Sequence, residues 1–251
     1  MGSNERTEER SVGERVASHL PSQVNQVGES VQSALHDIKE EIKPRLRGWL
    51  HAVTSPLTVA AGIVLVVLSP TAMTRIGSAI FALSAALLFT VSAVYHRGNW
   101  SPRTWRVLQR LDHANIFLLI AGSYTPFTLL MLEGTDRVVL LSVAWGGAAA
   151  GVLFRVLWAG APRWLFVPIY VALGWAAVFY AGDFVAAGDV AVFVLIAVGG
   201  VLYTVGGLVY GLQRPDPWPQ WFGFHEVFHA FTILAFVTHY VGISLATYSL
   251  R

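Results

Sequence analysis

The chain has 251 residues, of which 55% are hydrophobic and only 13% charged, with a formal net charge of +2. That charge content is about half the norm for soluble proteins, and residues 1–49 alone hold 7 of the 17 Lys and Arg and 8 of the 15 Asp and Glu. A soluble enzyme, a nucleic-acid binder and a disordered chain are thereby excluded for everything beyond residue 49, which reads as a membrane body behind a short polar head.

Residues 1–21 interleave Glu and Arg without apolar periodicity and read as a disordered polar tail. From residue 22 the pattern changes: Val24, Val27, Val31, Leu35, Ile38 and Ile42 recur at three- and four-residue steps. This predicts an amphipathic helix within 22–49. Lys39, Lys43, Arg45 and Arg47 lead into Trp49, which places that helix against lipid headgroups or against the protein's own inner face. Pro44 is expected to end or kink it. No secretory signal is read in this head, so the first long apolar run is expected to direct insertion.

Seven apolar stretches follow, over about 50–69, 76–96, 111–132, 138–158, 164–181, 190–212 and 224–247. Each approaches the ~20 residues that a helix needs to cross the hydrocarbon core. Each is also about twice the length of a barrel strand, so the fold class is an all-α, seven-helix membrane bundle over residues 50–251. Gly147/Gly151 and Gly207/Gly211 are G-x-x-x-G steps that let helices approach. Pro126 and Pro168 lie inside spans and are expected to kink them.

Basic residues set the expected orientation. Lys39, Lys43, Arg45, Arg47, Arg97, Arg103, Arg106, Arg110, Arg155, Arg163 and Arg214 flank one side, against Arg75, Arg137 and Arg251 on the other. The asymmetry predicts a cytoplasmic N-terminus and an outer C-terminus in the cell membrane.

With alternating spans, several polar residues come to one level. Ser92 and His96 share a face at the end of the second span, Asp112 opens the third, and His225 and His229 share a face at the start of the seventh. His96, His225 and His229 make a three-imidazole set, the donor set of an open zinc site. The chain has no cysteine, so any metal is held by nitrogen or oxygen, and disulfides and iron–sulfur clusters are excluded. The plain alternative is that each His caps a helix end and reaches toward the interface. His113 points about 100° from Asp112 and reads as interfacial. His239 lies ten residues past His229, about 15 Å along the axis, and reads as a hydrogen-bonded core residue.

The run His225-Glu226-Val227-Phe228-His229 also matches H-E-x-x-H, the peptidase pattern in which Glu is the base. The metzincin extension fails because Ala235 occupies the position of the third His. An acidic residue in a first helical turn is also what the helix dipole favours.

Together, Ser92-Ala93-Val94-Tyr95-His96, Leu111-Asp112-His113, Ile120-Ala121-Gly122-Ser123-Tyr124-Thr125-Pro126-Phe127 and His225-Glu226-Val227-Phe228-His229 resemble blocks of the bacterial hemolysin III proteins. These belong to the progestin and adipoQ receptor superfamily. The resemblance runs from about residue 45 to the end. It implies seven helices, a cytoplasmic N-terminus and a zinc held by His96, His225 and His229 near the cytoplasmic face, with Ser92 and Asp112 as the other polar positions around it. The superfamily's animal adiponectin receptors look like ceramide amidases, which implies a zinc-dependent hydrolase of lipid amides or esters with membrane lipid as substrate or ligand. In that reading Asp112 accepts a proton from water or orients a ligand, and Ser92 hydrogen-bonds water or substrate. A non-enzymatic zinc-stabilised protein of lipid sensing, membrane or ion homeostasis, or cytolysis is the competing class. An intramembrane H-E-x-x-H peptidase is the third.

Overall fold

The computed structural model describes residues 44–158, 160–187 and 190–250. The expectations for the polar tail and for the amphipathic helix up to residue 43 lie outside the described residues. From Pro44 to Gly48 the chain forms a turn rather than a helix, as expected of a proline that removes a backbone donor.

Helices α1 (Trp49–Leu68), α2 (Ala72–Arg97), α3 (Pro102–Met131) and α4 (Gly134–Leu157) are continuous. The fifth span is broken: α5 (Arg163–Gly174) leads through a 3₁₀ turn (Ala176–Tyr180) into the short α6 (Ala181–Ala186). Helices α7 (Val190–Leu212) and α8 (Phe224–Tyr248) complete the set. Among the described residues, seven helical segments are long and apolar enough to cross a membrane, and no strand is present. The protein is an all-α, multi-pass membrane bundle.

Local chemistry explains the starts. Thr71 caps α2, its Oγ1 accepting from the Thr74 N–H at 3.2 Å while Thr74 Oγ1 accepts from the Thr71 N–H at 3.0 Å. Ser101 caps α3 with Pro102 at the first helical position. Helix α3 therefore begins nine residues before the expected span, so its first turns are polar and mostly exposed.

Helix α3 forms the centre. It packs on α2 and α4 and also touches α5 and α8, while α1 meets α8 to close the ring. Residues 121–128 of α3 are all buried, within a core that includes Phe81, Phe89, Phe117, Leu140, Ala148, Phe236 and Ile243. In the G-x-x-x-G step of α4, a Cβ on Gly151 would lie 2.3 Å from the Phe117 ring, so the missing side chain is what lets α3 fit there. Outward-facing Val53, Leu57, Ile63, Leu83, Leu153 and Leu208 are exposed, as lipid contact requires.

The break in the fifth span falls at Gly174–Trp175, six residues beyond Pro168. Tyr124 explains why it is tolerated. Its hydroxyl donates to Gly174 O at 2.6 Å and accepts from the Ala177 N–H at 2.9 Å. One phenol thus satisfies backbone groups that the interrupted ladder leaves open, as a bilayer demands.

Candidate metal centre

Three helices bring imidazoles to one end of the bundle. His96 lies in the last turn of α2, one turn after Ser92. His225 and His229 open α8, and His51 opens α1. His96 and His229 are buried and His225 is half-buried.

The three expected ligands do meet. One ring nitrogen from each of His96, His225 and His229 lies within 4.8 Å of the others. His225 Nε2 and His96 Nε2 are 3.1 Å apart, close to the ~3.3 Å between two nitrogens that each sit 2.0–2.1 Å from a tetrahedral zinc. The rings are mutually tilted, with centroids 4.5–5.3 Å apart, so they fan around a shared point instead of stacking. The donor set, all nitrogen and no thiolate, suits a borderline ion such as zinc.

Asp112 and Ser92 sit beside this cluster. An Asp112 carboxylate oxygen is 3.8 Å from His96 Nε2, and the Ser92 hydroxyl donates to the same carboxylate. Asp112 lies ten residues into α3, so it is not a helix-start acid. His113 and His239 fall outside the cluster, as expected. His113 Nδ1 donates to Gln109 O at 2.7 Å, which leaves Nε2 to accept from the Tyr210 hydroxyl at 3.1 Å. His239 Nε2 is 3.3 Å from Ile196 O, further along α8.

Glu226 is fully buried, and both of its carboxylate oxygens have partners other than the histidines. One of its oxygens accepts from Arg47 Nε and the other from the Gly223 N–H, at 2.9 Å for the latter. It closes the N-terminus of α8 and binds the segment that precedes α1, which is not the arrangement of a peptidase base. Backbone pairing reinforces the join: the Arg45 and Leu46 N–H groups donate to Gln220 O and Trp221 O at 3.0 and 3.2 Å. Gly48 then turns the chain with φ +80, and a Cβ there would lie 2.6 Å from His96 Cβ. Arg155, counted above among the flanking basic residues, is instead buried, with its guanidinium 4.4 Å from the Phe166 ring centroid.

His51 is the residue that sequence reasoning missed. It is 2% exposed and lies parallel to His229, ring centroids 3.7 Å apart. Its one signal in the sequence was a histidine in the first turn of an otherwise apolar span.

A cavity of about 140 Å³ starts at His51, Ser92, Asp112 and His229 and reaches Tyr124, Phe127, Tyr203 and His239. Most of its walls are apolar. The arrangement thus joins a metal-competent imidazole cluster, an acid and a hydroxyl to a greasy channel.

Comparison with known proteins gives the family. A family model described as haemolysin-III related matches residues 39–240. The chain is 30% identical over 199 residues to a hemolysin-3 homolog of Bacillus subtilis, covering 78% of this chain and 89% of that protein. It is 28% identical to hemolysin-3 of Bacillus cereus, covering 78% and 86%. It is 31% identical over 185 residues to an adiponectin receptor protein of Drosophila melanogaster, covering 65% of this chain and 41% of that protein.

Proposed function

The chain belongs to the haemolysin-III-related family, and on that premise we propose that it is a zinc-dependent hydrolase of lipid amides or esters. The observation that carries the reading is the junction of the His96–His225–His229 cluster with Asp112, Ser92 and an apolar cavity. A zinc ion bound there would supply a Lewis acid that polarises a carbonyl and acidifies water.

The chain's own residues divide the remaining work. Asp112, held by Ser92, is placed to take a proton from water and return it to a leaving amine or alcohol. Ser92 fixes the carboxylate and has oxygen lone pairs free for water or a substrate carbonyl. The cavity walls exclude bulk water and hold an acyl chain, so the substrate is an amphiphile entering from lipid. We place the N-terminus in the cytoplasm and the site at the cytoplasmic side of the cell membrane, on the basic asymmetry of the flanks. A reporter fused after Arg251 that functions only in the cytoplasm would contradict that orientation by being active.

The deciding experiment is a lipid hydrolysis screen on the purified, zinc-loaded protein, with and without chelator, alongside Asp112→Asn. Hydrolysis that is lost with chelator, and in a variant that keeps its zinc and its melting temperature, supports the reading. A protein that binds zinc tightly yet leaves every ceramide, acyl amide and ester intact is instead the zinc-stabilised, non-enzymatic protein.

A further inference from the structure

The far end of the cavity is not purely greasy. His239 sits on α8 ten residues beyond His229, about 15 Å along the helix axis, and is 8% exposed. The Cδ2–Nε2 edge of its ring lies against α7, where a Cβ on Gly199 would come within 2.2 Å of His239 Cδ2 and 2.3 Å of Nε2. Tyr203, one turn beyond Gly199, places its ring centroid 5.5 Å from that of His239. Both side chains line the cavity.

The hydrogen-bond count at this end does not close. Ile196 O, 3.3 Å from His239 Nε2, can only accept, so Nε2 carries the proton. The neutral ring then has a lone pair on Nδ1, and that buried atom has no partner. The Tyr203 hydroxyl is also buried without a partner. Unpaired polar atoms in an apolar wall are unfavourable, and here a buried acceptor and a buried donor belong to rings whose centroids are 5.5 Å apart. Around them Phe127 and Ile196 are apolar.

We propose that His239 and Tyr203 form a hydroxyl-recognition subsite, so that the cavity selects an amphiphile whose chain bears a hydroxyl roughly 15 Å from the end held beside Asp112. A single hydroxyl oxygen donates to His239 Nδ1 and accepts from Tyr203. A carboxylate or ketone offers no donor to Nδ1, and an ammonium offers no acceptor to the phenol. The inference rests on the cavity admitting a lipid chain, as in the proposed function, and does not require hydrolysis.

The test is binding. The full-length, zinc-loaded protein in nanodiscs is titrated with stearic acid and with monohydroxylated stearic acids that differ in hydroxyl position. One positional isomer is expected to bind roughly tenfold tighter than stearic acid, the effect of two net hydrogen bonds. Tyr203→Phe and His239→Leu should each remove most of that preference while changing stearic acid affinity by less than about twofold. Tyr203→Phe deletes one oxygen from an otherwise unchanged ring, so it remains informative if His239→Leu fails to fold. Equal binding of all isomers to the wild type would mean that the pair holds water only and would overturn the subsite alone. A preference that survives Tyr203→Phe would overturn it too. Failure of the wild type to bind even stearic acid would overturn both the subsite and the lipid-binding reading.

Discussion

His51 and His229 lie face to face, with ring centroids 3.7 Å apart and planes within 13°. The Phe89 ring meets His51 edge-on at 5.0 Å. Helix α1 therefore contributes a flat surface that limits how the His229 ring can turn. This role depends on shape more than on the nitrogens of His51. His51→Phe should keep zinc affinity within a few-fold of wild type, and His51→Ala should weaken it by roughly tenfold, at the low end of effects from residues that orient ligands. Titration against a competing chelator measures both. Equal loss in the two variants would show that the imidazole nitrogens matter instead.

Metal content separates the cluster from its neighbours. Purified protein should hold about one zinc per chain, because three nitrogens converge on one point. Ala at His96, His225 or His229 should each strongly reduce occupancy and lower thermal stability, since the site ties α2 to α8. His239→Ala and Glu226→Gln should retain the metal. Elemental analysis checks this directly, and a zinc-free, well-folded wild type would sink the metal reading.

The Arg47–Glu226 pair should behave as a structural clamp. Its side chains are 19% and 1% exposed. Arg47→Ala leaves a buried carboxylate unpaired, an effect of about 3–5 kcal/mol. The double variant Arg47→Ala/Glu226→Gln should be less damaged than the sum of the single changes, because the uncompensated charge is gone. Denaturation midpoints of the four proteins in one detergent give the coupling. Strict additivity would rule out the clamp.

Gly48 combines a left-handed backbone with close approach to His96 of the candidate cluster. Gly48→Ala should cost at least about 1–2 kcal/mol from backbone strain, and should also lower zinc affinity by displacing His96. Gly146→Ala is the control, since its added Cβ meets open space. That variant should bind zinc like wild type. If Gly48→Ala does so as well, the contact with His96 does not position the ligand.

Much of the architecture was legible in the chain because a bilayer leaves few options. Apolar runs of about 20 residues must be helices there, and alternating spans bring His96, Asp112, His225 and His229 to the same end whichever way the protein faces. The three histidines of the candidate cluster could be named for that reason, and His239 could be set aside by its rise along α8. Helix ends were less legible: the first turns of α3 are polar, so hydropathy could not find them, although Ser101 and Pro102 mark the start. What only the tertiary structure decided depends on which faces meet across long separations. The stack of His51 on His229, the clamp of Arg47 on Glu226 and the entry of the Tyr124 hydroxyl into the fifth span join residues 178, 179 and about 50 positions apart. Helical periodicity states which side chains share a face, but not which neighbour that face meets. Hydropathy likewise cannot show that one phenol can replace a turn of helix.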